Sequence, residues 1–171
     1  ETTHPFTLNM GNKDVRITTH YYEDNLLSNI FSIVHEGGHA LYEQHIPDTL
    51  VNTGLDGGAS MGIHESQSRF YENIVGRSKE FLNFILPHIK EKFPSLSDIT
   101  LDEFYEGVNC VKPSLIRIEG DELTYSLHII IRYEIEKALI NGEIEVGDLP
   151  KVWNKKYEEY LGVTPQDDEE G

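Results

Sequence analysis

The sequence predicts a mainly helical fold with one small β-hairpin. Apolar residues recur at three- and four-residue spacings along most of the chain, and capping residues stand where those runs begin. Two strand-like segments flank a turn near the N-terminus.

The strand-like segments are residues 5 to 8 (Pro-Phe-Thr-Leu) and 14 to 19 (Asp-Val-Arg-Ile-Thr-Thr), around the turn Asn-Met-Gly-Asn-Lys. A helix over 25 to 46 follows, with Leu27, Ile30, Phe31, Val34, Leu41 and Tyr42 on its apolar face and Asp24 as its expected N-cap. Residues 47 to 60, with Pro47, Gly54, Gly57 and Gly58, read as an irregular loop. A second helix is expected over 62 to 76, ending near Gly76. Ser78 caps a third, with Phe81, Leu82, Ile85, Leu86 and Ile89 inward, a kink at Pro87 and a stop before Pro94. The capping-box spacing Thr100-Leu-Asp-Glu103 opens a fourth, expected to end before Pro113 and to include Cys110. Ser114 to Glu119 reads as a short extended segment. A fifth helix runs from Asp121 to Ile140, closed by Asn141-Gly142, and Asp148-Leu-Pro150 opens a sixth that ends near Gly162. The acidic run 166 to 171 reads as a solvated or disordered end.

The chain has 171 residues and is 38% hydrophobic, enough for one compact domain with a sizeable core and too little for two comfortable ones. Thirty acidic residues against fourteen basic ones give a formal charge of -16, which argues against nucleic acid and anionic membrane surfaces as partners. No apolar run approaches a membrane span, and the N-terminus lacks the pattern of a secretory signal. Cys110 is the single cysteine, so an internal disulfide is excluded and a reducing cytoplasm is the simplest home.

The chemistry centres on His35-Glu36-Gly37-Gly38-His39. Two histidines four apart on a helix stack one turn above the other, where both can hold one tetrahedral metal. Glu36 then stands beside the metal, placed to take a proton from water that the metal activates. That geometry suits a zinc hydrolase. Gly37 and Gly38 each weaken the helix by roughly 1 kcal/mol relative to Ala, which calls for a close approach over this stretch. A third protein ligand is needed, and the downstream candidates are His45, Asp48, Asp56, His64 and Glu65. Glu65, on the next helix, is the first choice and His64 the second; the alternative for Glu65 is an ordinary first-turn carboxylate favoured by the helix dipole.

Several stretches together resemble the motif blocks of the Taq-type thermostable zinc metallocarboxypeptidases. They are His4-Pro-Phe-Thr7, Asp14-Val-Arg-Ile-Thr18, His35 to Gln44, Gly58 to Arg69 and Val111 to Tyr125, in the family's order. The resemblance implies a gluzincin-type, mainly α metallopeptidase core with a small sheet beside the active-site helix, a homodimer, and release of C-terminal residues from peptides. It implies one zinc, or cobalt, on His35, His39 and Glu65, and Glu36 as general base. Family members are longer: a helical region before the His-Pro-Phe block and a final Gln-Asp-x-His-Trp block have no counterpart here, and Gly120 stands where Ala is usual. On this basis residues 1 to 171 are expected to be a single metal-binding catalytic core, a fragment or shortened relative.

An exopeptidase of this polarity must also bind a free α-carboxylate. Arg117 is the first candidate because a guanidinium fork matches a carboxylate in two hydrogen bonds, the alternative being an ion pair with Glu119 or Asp121. Arg16 and Arg69 rank below it, and His4 and Gln67 are candidates for lining the substrate cleft. An endopeptidase or aminopeptidase could use the same metal motif, as could a helical module that binds metal without turnover.

Overall fold

Two short strands and six α-helices make up the computed structural model, which describes residues 2–11 and 13–166. Strands β1 (Thr7–Asn9) and β2 (Val15–Ile17) pair antiparallel in the register Thr7 with Ile17, Leu8 with Arg16 and Asn9 with Val15. Each is shorter than the sequence suggests, and Asn12 of the expected turn lies outside the described residues. Helix α1 spans Leu26–Gln44. Its N-cap is Asn25 rather than Asp24: Asn25 Oδ1 accepts from Ser28 N at 3.0 Å, the geometry that satisfies one of the orphan donors of a first turn.

The remaining helices are α2 (Met61–Arg69), α3 (Lys79–Lys92), α4 (Leu101–Val108), α5 (Tyr125–Ile140) and α6 (Leu149–Leu161). The chain continues from α2 as a π-helical stretch, Phe70–Val75, to Gly76, where the second helix was expected to stop. Ser78 caps α3 by accepting from Phe81 N at 3.2 Å. The Thr100–Glu103 capping box is formed in both directions, Glu103 N to Thr100 Oγ1 at 3.2 Å and Thr100 N to Glu103 Oε2 at 2.8 Å.

The chain divides into two compact units, Glu1–Val108 and Asn109–Gly171. The core of the first is Phe31, Leu82, Leu86, Ile89, Phe104 and Val108, joining α1, α3 and α4. The Arg77 guanidinium lies over the Phe31 ring at 4.4 Å and donates Nη1–H to Val108 O at 2.8 Å, so its charged head both stacks on the core and hydrogen-bonds at its edge. In the second unit Ile131, Ile135, Tyr157 and Leu161 join α5 to α6, with His128 buried against Tyr157. Gly162 ends α6 at φ +69°, a left-handed conformation that a side chain disfavours.

Three expectations change here. Cys110 lies past the end of α4 and is exposed. Residues 117 to 119 form a 3₁₀ turn rather than an extended segment. Helix α5 starts at Tyr125, not Asp121, because the Asp121 carboxylate accepts from the backbone of Lys112, Leu123 and Thr124, each at 2.9 Å, and holds a turn ahead of the helix. Most of the expected acidic tail, from 167 on, falls outside the described residues. Among the described residues no helix is long and apolar enough to cross a membrane.

Candidate metal centre

Helix α1 carries His35 and His39 one turn apart, and their rings meet edge to face with centroids 4.9 Å apart. Helix α2 brings Glu65 to them. Glu65 Oε2 lies 3.4 Å from His39 Nε2 and 3.6 Å from His35 Nε2, and these three side chains could together hold one metal ion. What lets the two helices approach is Gly38. A Cβ there would stand 2.7 Å from Ser68 Cα and 3.0 Å from Gln67 O, so only glycine admits the α2 backbone at this point. The same substitution at Gly37 would meet nothing within 4 Å, so the close approach that the sequence calls for at both glycines is found at Gly38 alone.

Other side chains orient this trio. His35 Nδ1 lies 2.8 Å from Glu72 Oε2, and Arg69 donates Nε–H to Glu65 Oε1 at 3.1 Å and Nη1–H to Glu72 Oε2 at 2.9 Å. Arg69 thus engages the Glu65 oxygen that faces away from the histidines. Burial raises the Glu65 pKa, but the hydrogen bond with His39, the charge of His35 and the charge and hydrogen bond of Arg69 outweigh it and lower it to about 2. Glu36 is buried, with Oε2 accepting from Thr7 Oγ1 at 2.7 Å, so the hairpin holds this carboxylate.

Of the residues singled out in the sequence, His35, His39, Glu36 and Glu65 are gathered in the first unit. His64 is not among the three converging groups; its Nδ1 faces His39 Nδ1 at 2.6 Å, on the far side of that ring. Gln67 is half-buried on α2 with its carbonyl against Gly38. His4 is exposed ahead of β1. Arg16 pairs with Asp14 at 2.9 Å in the exposed hairpin, and Arg69 braces Glu65 and Glu72 instead of waiting for a ligand. Arg117 belongs to the second unit, half-buried, donating Nη1–H to the Tyr125 hydroxyl at 2.8 Å. Sequence reasoning missed Glu43 and Glu72. A signal for Glu43 exists, since it lies four residues after His39 on the same helix face; Glu72 depends on the approach of a second helix.

A His-Glu-x-x-His helix that receives a carboxylate from the next helix is the arrangement expected of a metallopeptidase-type metal centre. Comparison with known proteins makes this specific. The family model described as Carboxypeptidase Taq (M32) metallopeptidase matches residues 1–171, and the chain belongs to that family. It is 55% identical to Carboxypeptidase 1 of Bacillus subtilis (strain 168), with 100% of this chain and 34% of the relative aligned. It is 51% identical to Thermostable carboxypeptidase 1 of Thermus thermophilus, covering 99% of this chain and 33% of that protein. The fold is similar to a solved structure of Pyrococcus furiosus carboxypeptidase, with a TM-score of 0.95 and 46% identity over 99% of this chain and 34% of the other. The chain therefore spans about a third of the length of these relatives.

Proposed function

We propose that these residues form the catalytic core of a metal-dependent carboxypeptidase that removes C-terminal residues from peptides, with His35, His39 and Glu65 holding one zinc ion. The observation that carries the reading is the convergence of two imidazole nitrogens and one carboxylate oxygen from two helices pinned at Gly38. The donor set fits: ligands about 2.0–2.1 Å from a tetrahedral zinc stand roughly 3.3 Å from one another. The two separations from Glu65 Oε2, 3.4 and 3.6 Å, are close to that. A metal held there supplies Lewis acidity to the scissile carbonyl and to the attacking water.

In this reading Glu36 takes the proton of the attacking water and returns it to the leaving amine. Thr7 fixes the Glu36 carboxylate from the hairpin, which limits its freedom before substrate arrives. Arg117 is the proposed anchor for the free α-carboxylate, its guanidinium held by the Tyr125 hydroxyl. His4 and Gln67 are proposed to line the substrate path, and the dimer and the cytoplasmic location belong to the same proposal.

The test uses peptides blocked at one end. An N-blocked peptide is expected to be cleaved, with cleavage lost when its C-terminus is amidated, and Glu36→Gln should bind zinc without turnover. Cleavage of the amidated peptide would contradict a carboxypeptidase. A second reading is a metal-binding helical module without turnover, since two imidazoles and a carboxylate can hold a metal whether or not a peptide is cleaved. Zinc bound with neither peptide cleaved selects it.

A further inference from the structure

The two histidines of the candidate centre are supported from behind in different ways. The Nδ1 of His35 faces a carboxylate, Glu72. The Nδ1 of His39 faces a second imidazole, His64 Nδ1, at 2.6 Å, and His64 Nε2 in turn lies 2.5 Å from Glu43 Oε1. The other oxygen of Glu43 accepts from Asn9 Nδ2 at 2.7 Å, so the row runs from the hairpin to His39. Two ring nitrogens at that distance share one proton, because one must donate and the other accept. A metal on His39 Nε2 uses that lone pair and leaves the proton of His39 on Nδ1. His64 Nδ1 must then accept, and the proton of His64 must sit on Nε2, where it donates to Glu43.

We propose that Glu43 and His64 are a positioning relay that fixes His39 as the Nδ1–H tautomer and aims its Nε2 at the metal. The inference rests on the metal reading above and assigns roles to two residues that touch no metal themselves. The relay is enclosed. The His64 and Glu43 side chains are 16% and 11% exposed, and Tyr42 stands edge-on to the His64 ring with centroids 5.0 Å apart. The loop ahead of α2 closes on the same ring at Gly58, where a Cβ would come within 2.7 Å of His64 Cδ2. Ala59 N donates to the Tyr42 hydroxyl at 3.3 Å, which ties that loop to α1. With the loop and α1 against it, and Glu43 held in turn by Asn9 of the hairpin, the His64 ring is held where its two nitrogens meet His39 and Glu43. Partners of this kind govern ligand orientation and typically change metal affinity by about 10- to 100-fold when removed.

The experiment measures zinc affinity by competition with a chelator of known strength on the wild-type chain, His64→Leu, His64→Gln and His39→Ala. It also reads the ring-nitrogen tautomers of the zinc-loaded wild type by ¹⁵N NMR. His64→Leu should weaken zinc by about 10- to 100-fold. His64→Gln should recover most of that loss, because its amide oxygen accepts from His39 and its amide nitrogen donates to Glu43. The spectra should place the proton on Nδ1 of His39 and on Nε2 of His64. Unchanged affinity in His64→Leu, equal loss in the Leu and Gln variants, or a proton on His64 Nδ1 in the zinc-loaded chain would each overturn the relay. His39→Ala separates the two levels. Loss of zinc there with His64→Leu unaffected removes the relay alone, whereas zinc retained in His39→Ala, or no uptake by the wild type, removes the metal reading and the relay with it.

Discussion

Adjacent glycines in the middle of α1 should respond to the same substitution with opposite signs. Replacing Gly by Ala inside a helix stabilises it by about 1 kcal/mol through backbone entropy. Gly37 has open space where a Cβ would go, so Gly37→Ala should show that gain. At Gly38 the new Cβ would meet Ser68 Cα at 2.7 Å and Tyr71 Cδ2 at 3.2 Å. Carbon atoms rest about 3.5–4.0 Å apart, so the α2 backbone would have to retreat by roughly 0.8 Å or more. Overpacking of this kind costs about 1–3 kcal/mol, and because a main chain rather than a flexible side chain is struck, the upper part of the range applies. Gly38→Ala should therefore be destabilised by about 2 kcal/mol net, some 3 kcal/mol below Gly37→Ala. Ser68 lies one turn beyond Glu65, so the retreat also draws Glu65 away from the histidines, and zinc affinity should fall in Gly38→Ala alone. Urea denaturation followed by circular dichroism, with zinc titration, measures both effects. Equal stabilisation in the two variants with zinc affinity kept would refute the close approach of α1 and α2.

Glu65 gives a pH dependence in the metal-free chain. Its folded pKa of about 2 lies below its ordinary 4.5, so the stabilisation is fully present above pH 4.5 and is lost as pH falls toward 2. The unscreened shift corresponds to about 3 kcal/mol, and solvent screening reduces this to about 1 kcal/mol, since the side chain is 41% exposed. Glu65→Gln should lack this acid-limb loss in urea midpoints measured across that window; an identical limb in the variant would contradict the assignment. Ser78→Ala should lower stability by about 1 kcal/mol and Ser78→Gly by only a few tenths, because the hydroxyl accepts from Phe81 N. Equal losses in these two would remove the capping role. On the proposal that Arg117 binds a free α-carboxylate, Arg117→Lys should raise KM for an N-blocked peptide more than it lowers kcat, since an ammonium does not offer the paired donors of a guanidinium; unchanged KM would remove that role.

What the sequence made legible was local. The Ser78 cap, the Thr100–Glu103 box and the Gly162 stop are each decided within about one helical turn, and each is found where it was read. Choosing between Asp24 and Asn25 as N-cap was not legible, because both residues cap well and the entry path of the chain decides. The start of α5 was misplaced because Asp121 uses its carboxylate on three backbone N–H groups before the helix begins. Arg69 was read as a possible substrate anchor from its charge; its bonds to Glu65 and Glu72 follow from their i−4 and i+3 positions on one helical surface. The His64 contact with His39 depends on the crossing of α1 and α2, which single-helix periodicity does not encode.

The most direct measurement is the metal retained per chain after extensive dialysis, by elemental analysis, for the wild-type sequence and for His39→Ala. About one zinc per wild-type chain and none in the variant is the expected result, in keeping with two imidazoles and one carboxylate in a tetrahedral site. No zinc in the wild type, or the same zinc in both, would contradict the assignment of His35, His39 and Glu65 as the metal centre.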